Sequence, residues 1–256
     1  MGFDMEAFAL RGRTSLVIGG AGGIGREISL GFRAAGARVL IAGRNRDKLD
    51  GVAGELNQPD GPTAYVADVR SLAALAALAD AAQNDHGPID VLVNCQGTTI
   101  IKPALEVSEA DYDTILDLNL KSVFFACTEF GRRMISQGGG AIVNITSLAA
   151  HTGWGNAAAY SASKWGVAGL TQTLAAEWGG NGVRVNAIAP GFFLTDLNRE
   201  KMPPERKAEA QRRNAMKRMG ELPELVGAAV FLASDAARFV TGTTVRVDGG
   251  YLASGI

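Results

Sequence analysis

The sequence predicts an α/β fold, a single domain over residues 1–256 built on a doubly wound parallel sheet of about seven strands. Three observations predict it. Short apolar runs alternate with longer helix-like segments along the whole chain. The runs are almost continuously apolar, as strands buried on both faces of a parallel sheet must be. Glycine-rich and polar clusters fall where those runs end, and in such a sheet ligands bind beyond the carboxyl ends of the strands.

The elements follow in order. Ser15-Leu16-Val17-Ile18 is the first strand, and a glycine cluster leads from it into a helix over residues 24–35. Residues 38–42 (Arg-Val-Leu-Ile-Ala) form the second strand, before a polar helix over 47–56. Residues 63–66 are the third, followed by an alanine-leucine helix over 71–83 with Ser71 as a candidate N-cap. Strands four to seven are expected at 89–93, 141–145, 183–188 and 244–247, with helices over 111–137, 160–178 and 222–234 between them. Residues 198–217 are a charged interruption, a local insertion within a mobile substrate-side segment of about 192–218.

Composition narrows the partners. With a net charge of −1 and a pI near 6.2, nothing recommends a nucleic-acid or membrane-surface partner. Two cysteines make no disulfide framework, two histidines make no His-rich metal cluster, and no metal site is expected. The first ten residues carry Asp4 and Glu6 and lack a signal peptide's basic start, and no stretch approaches a membrane span. A soluble, cytoplasmic protein is expected, acting on a small-molecule substrate.

Tyr160 and Lys164 stand four apart in Tyr160-Ser161-Ala162-Ser163-Lys164. On a helix they share one face, and an ammonium there stabilises a phenolate and lowers the tyrosine pKa from about 10. A phenol tuned in this way serves as general acid or base. The same spacing also arises from a core tyrosine beside a solvated lysine, so other motifs decide. One is Gly19-Gly20-Ala21-Gly22-Gly23-Ile24-Gly25, between the first strand and first helix. Glycines there allow a tight turn and let helix N–H groups approach a pyrophosphate, giving the fold a Rossmann-like character.

Gly19-xxx-Gly23-Ile24-Gly25 together with Tyr160-xxx-Lys164 resembles the short-chain dehydrogenase/reductase family over roughly residues 10–252. Further motifs agree in order and spacing. Asp68-Val69 matches the family's adenine-contacting pair, and Asn94-Cys95-Gln96-Gly97 stands in the place of its Asn-Asn-Ala-Gly. Asn119 and Ser147 complete a catalytic tetrad with Tyr160 and Lys164. Pro190-Gly191 and Thr195 match the segment that meets the nicotinamide carboxamide, and Val247-Asp248-Gly249-Gly250 matches the usual ending. The resemblance implies that Ser147 holds the substrate oxygen and Tyr160 exchanges a proton with it. It implies that Lys164 lowers the Tyr160 pKa and holds the nicotinamide ribose, while Asn119 holds a water linking Lys164 to solvent. It also implies a homotetramer, with the helices of Asn119 and Tyr160 forming one interface. Two departures stand out: Ile18 replaces a threonine that braces the glycine loop, so packing holds the loop there, and Cys95-Gln96 alters the floor beside the nicotinamide.

For the cofactor, Ile41-Ala42-Gly43-Arg44-Asn45 offers no acid at the end of the second strand. Acids there accept from the adenine ribose hydroxyls, whereas an arginine pairs with a 2′-phosphate. NADP is preferred, with NAD as the alternative, and Arg44 and Asn45 join the cofactor residues. His151, Trp154 and Phe192, with Ser147 and Tyr160, are the substrate-pocket candidates. Residues 198–218 carry eight basic residues against Glu200, Glu205 and Glu209, an excess suited to an anionic substrate such as a sugar acid, or else one solvated face of an amphipathic helix. Residues 192–198, Arg218-Met219-Gly220 and Glu224-Leu225-Val226-Gly227 are similar to the gluconate 5-dehydrogenase-like branch. The expected reaction is hydride transfer between NADP and a carbonyl or alcohol carbon. The substrate is gluconate or its keto form, with reduction of a 3-oxoacyl thioester on acyl carrier protein as the rival. A cofactor-binding protein that has lost catalysis is the third alternative, and the intact tetrad argues against it.

Overall fold

A computed structural model describes residues 4–59, 61, 63–195 and 202–254. Strands β1 (Thr14–Ile18), β2 (Arg38–Gly43), β3 (Ala64–Val66), β4 (Val91–Asn94), β5 (Gly140–Ile145), β6 (Val183–Pro190) and β7 (Thr244–Val247) form one sheet. The order is β3-β2-β1-β4-β5-β6-β7, with every pairing parallel. The order reverses between β1 and β4, and that switch point opens a crevice at the strands' carboxyl ends.

The helices are α1 (Gly23–Ala34), α2 (Arg46–Leu56), α3 (Leu72–His86), α4 (Glu109–Leu116), α5 (Ser122–Ser136), α6 (Ala158–Trp178), α7 (Pro204–Arg213) and α8 (Val226–Ala233). They cover both faces of the sheet because successive strand residues point to opposite sides. Leu16, Ile18, Leu40 and Leu92 pack with Leu75 of α3, Phe130 of α5 and Leu174 of α6. The intervening Val17, Val39, Ile41 and Val93 pack with Phe32 of α1, Val52 of α2 and Leu232 of α8. Phe32 and Phe130 are fully buried, each contributing about 1.5–3 kcal/mol of transfer free energy. Ser71 caps α3 as expected, its hydroxyl accepting from the Ala74 N–H at 3.3 Å.

Two elements differ from expectation. The long helix expected over 111–137 is instead α4, a π-helical turn (Asp117–Lys121) and α5. Asn119 sits inside that turn, where its buried side chain binds neighbouring structure at the cost of regular helix geometry. The charged interruption contains helix α7, which starts with proline at its first position and buries Ala210 against Leu148, Phe192 and Met219. Residues 196–201 of that segment lie outside the described residues.

Candidate active site

The glycine turn after β1 is shaped by its backbone. Gly19 has φ +80°, and a Cβ there would lie 2.8 Å from the Gln96 amide nitrogen. A Cβ on Gly25 would overlap the Gly19 carbonyl oxygen, so the helix and strand meet only through glycine. Gly22 caps α1 without a side-chain bond, leaving the leading N–H groups of the helix for an anion. Such a cradle fits the pyrophosphate of a dinucleotide. Ile18 is buried in the core, and the loop is fixed by backbone bonds instead of a hydroxyl: Gly19 donates to the Ala42 carbonyl at 2.7 Å and Gly22 to Gly19 at 3.1 Å.

At the end of β2, Arg44 is exposed, and among the described residues it has no ion-pair partner. Asn45 spends its side-chain oxygen capping α2, accepting from the Lys48 N–H at 2.9 Å. Asp68 is gripped by Arg70, with Nε 2.9 Å and 3.1 Å from the two carboxylate oxygens. That grip, opposed by burial and aided by the charge of Arg44, pulls the Asp68 carboxyl down to about 2. Val69 beside it is buried core. Asn94 does not reach the cleft. Its amide donates to Asn144 Oδ1 at 2.9 Å and to Cys127 Sγ at 3.4 Å, so it ties β4 to β5 beneath the site.

A cleft of about 750 Å³ runs from the glycine turn, through Gly97, Ser147, Tyr160 and Lys164, to Pro190, Gly191, Phe192 and Thr195. Gly19, Gly23, Ile24 and Gly25 line one end, and Trp154 and Arg206 line the other. Thr195 leans over the glycine turn, its Cγ2 3.8 Å from where a Cβ on Gly23 would stand. Cys95 and Gln96 line the floor. Gln96 Nε2 reaches Asn94 Oδ1 and Ser122 Oγ at 3.3 Å each, while its buried Oε1 has no partner among the described residues. Thr98, Thr99, Ile101 and Met202 also line the cleft. Thr98, Thr99 and Ile101 were not singled out from the sequence, although residues that follow a strand's glycine turn stand at the carboxyl edge by topology, and Met202 falls in the expected substrate-side segment.

Ser147, at the end of β5, does two things. Its hydroxyl accepts from the Ala149 N–H at 3.1 Å, and it stands near enough to Tyr160 to favour the phenolate. Lys164, one turn along α6 from Tyr160, is buried, and its ammonium donates to the Ile145 carbonyl at 2.9 Å. It lies 5.9 Å from the centroid of the Tyr160 ring. Asn119 donates both amide hydrogens, to the Thr98 carbonyl at 2.8 Å and to Ser163 Oγ at 3.1 Å, and accepts from the Thr98 N–H at 2.8 Å. Its side chain therefore clamps the loop that carries Gly97 between Asn119 and Lys164.

The electrostatics correct one expectation. The Tyr160 pKa is raised, because burial outweighs the opposing influence of Ser147. Burial also pulls the Lys164 ammonium down to about 8, against a small upward pull from Cys95. Burial pushes the Cys95 thiol up to about 12, so it is no nucleophile at neutral pH.

His151 is a second correction. It lies outside the cleft, its ring 6.3 Å from that of Trp165, with Nε2 buried and without a partner among the described residues. Burial, then Arg246, lowers its pKa, and Asp248 opposes them. Of the basic segment, Arg212 pairs with Glu209 at 2.8 Å, Arg213 with Glu209 at 3.1 Å, and Arg218 with Glu224 at 2.5 Å. Lys217 donates to the Arg212 carbonyl, and Lys207 is also engaged. Three of these basic residues are therefore paired with glutamates, and Arg206 is a described member that lines the cleft.

A glycine-cradled dinucleotide site ending in a Ser–Tyr–Lys cluster defines a nicotinamide-dependent oxidoreductase of the doubly wound class. The comparisons agree. The family model adh_short_C2, described as Enoyl-(Acyl carrier protein) reductase, matches residues 19–252. D-Threitol dehydrogenase of Mycolicibacterium smegmatis is 40% identical over 95% of this chain and 94% of that protein. The structure of a putative NAD(P)-dependent gluconate 5-dehydrogenase from Beutenbergia cavernae, with bound NADP, has TM-score 0.91 and 43% identity over 97% of this chain and 100% of that one. A gluconate 5-dehydrogenase from Burkholderia cenocepacia, in complex with NADP and tartrate, has TM-score 0.91 and 35% identity over 97% and 98%. The chain belongs to the short-chain dehydrogenase/reductase family, and its relatives include the gluconate 5-dehydrogenases.

Proposed function

We propose that the chain catalyses reversible hydride transfer between NADP and the carbonyl or alcohol carbon of a sugar acid, of the gluconate and keto-gluconate type. The observation that carries this reading is that Ser147, Tyr160 and Lys164 line one cleft with the glycine cradle. The bound cofactor would supply the hydride as NADPH in reduction and accept it as NADP+ in oxidation. Ser147 donates a hydrogen bond to the substrate oxygen. In reduction, Tyr160 then gives its phenolic proton to that oxygen, so the carbonyl leaves as an alcohol. In oxidation, the Tyr160 phenolate takes the hydroxyl proton. Lys164 supplies a buried positive charge beside the phenol and, with Tyr160, would hold the nicotinamide ribose. Asn119 positions Thr98 and the Gly97 backbone that forms the wall of the cleft.

NADP preference is supported by Arg44, exposed at the end of β2 where no acid competes for a 2′-phosphate, and by the NADP in the related structures. Asp68 and Val69 would meet the adenine, with Pro190, Gly191 and Thr195 beside the carboxamide. A homotetramer is supported by Phe124 on α5 and Trp165 on α6, which stand 42% and 54% exposed on the two helices expected to pair. No helix among the described residues is long and apolar enough to cross a membrane, and both cysteines are free, as a reducing cytoplasm would keep them.

Screening keto acids, ketoses and 3-oxoacyl thioesters with NADPH and NADH tests the reading. Reduction of a keto sugar acid with NADPH is expected. Turnover of a thioester with none of a keto sugar acid would move the assignment to the acyl-thioester reductases.

A further inference from the structure

Taking the sugar-acid reading as its starting point, we infer that Arg206 is the residue that recognises the carboxylate of the substrate and sets preference for an acid over a neutral polyol. Arg206 stands in the first turn of α7 and lines the cleft. Its guanidinium lies 5.6 Å from the centroid of the Trp154 ring, which lines the cleft as well. Trp154 in turn meets Phe192 edge-to-face at 5.5 Å, and Phe192 meets Tyr251 at 5.3 Å. A cation–π contact with this aromatic shelf favours one placement of a side chain that is otherwise long and flexible.

Charge bookkeeping singles out the same residue. Arg212, Arg213 and Arg218 each hold a glutamate, whereas among the described residues Arg206 contacts Trp154 and no carboxylate. The Arg213 fork lies over Tyr251 at 5.8 Å and donates to its hydroxyl at 3.0 Å, which anchors the outer end of the shelf. A guanidinium on a cleft wall, set against an aromatic ring and with no carboxylate partner among the described residues, suits bidentate pairing with a carboxylate. The reacting carbon belongs at Ser147 and Tyr160, so the acid terminus of the substrate would lie toward Trp154, with the hydroxylated chain crossing the cleft between them. A neutral polyol would react at the same centre without the anchor.

The test compares the wild type with Arg206→Gln, a change that preserves helix propensity on an exposed turn. Two readouts are needed: the kcat/KM ratio for gluconate over galactitol with NADP, and calorimetric affinities of the NADP-loaded proteins for the same two compounds. Loss of a charge-assisted pair predicts a fall in the acid-to-polyol ratio of about tenfold to a hundredfold, expressed mainly in KM and weakened by added salt. An acid-to-polyol ratio within about twofold of the wild type, whether both substrates fall together or neither changes, would overturn the inference while leaving the reaction class intact. If neither compound turns over, the sugar-acid reading fails separately. The gluconate-over-galactitol affinity ratio then still decides, a drop in the variant supporting the role of Arg206 and an unchanged ratio refuting it.

Discussion

The Lys164 ammonium donates to the Ile145 carbonyl at 2.9 Å, which pins α6 to the carboxyl end of β5 and holds a buried charge under the cleft. Burial lowers this amine from 10.5 to about 8, so folding releases its proton between those values. The unfolded chain binds more protons there, and the contribution of Lys164 to stability rises with pH across the window. Denaturant unfolding at about pH 7.5 and 9.5 should therefore show the wild type gaining roughly 2 kcal/mol relative to Lys164→Met. Equal pH slopes in the two proteins would place the amine in a solvated setting instead.

Tyr160 has its pKa raised by burial, so the phenol is protonated at neutral pH. Reduction needs that proton and should hold level with rising pH until the phenol titrates, above about pH 10. Oxidation needs the phenolate and should climb steadily through the neutral and mildly alkaline range. Initial rates in both directions across that range check this, and an oxidation rate that levels off near neutrality would mean the bound cofactor lowers the Tyr160 pKa strongly.

Gly25 lies against the Gly19 carbonyl with no room for a Cβ. Gly25→Ala should push α1 from the turn, at a cost of about 1–3 kcal/mol, and weaken NADPH affinity by tenfold or more. Fluorescence titration of NADPH measures it directly.

Arg44 is the determinant expected for the 2′-phosphate. Arg44→Asp should cut the NADPH-to-NADH ratio of kcat/KM by roughly tenfold to a hundredfold, as loss of a charge-assisted bond implies. Paired kinetics with the two reduced cofactors resolve the shift.

The fold was legible because its signals are local. Strand residues such as Val17 and Leu92 are buried on one face or the other, so the sequence reads as apolar runs with glycine at the ends. The gathering of Ser147, Tyr160 and Lys164 on one cleft was legible through order and spacing. What escaped depends on contacts far apart in the chain. Asn94 looked like a cofactor residue by motif position, yet its amide is spent on Asn144, fifty residues away. His151 lies between Ser147 and Tyr160 in sequence, but it packs against Trp165 instead of facing the cleft. The interruption before α8 read as a block of charge, and only the structure shows that Arg212, Arg213 and Arg218 pair with glutamates while Arg206 lines the cleft. The Tyr160 pKa moved the other way because burial acts on phenol and amine alike, and spacing carries no record of burial.

The central claim, that Tyr160 is the proton donor of an NADP-dependent reductase, is tested most directly by Tyr160→Phe. The NADPH-coupled reduction of keto-gluconate should fall by about a hundredfold to ten-thousandfold, with NADPH affinity unchanged by titration. Full activity in that variant would contradict the mechanism.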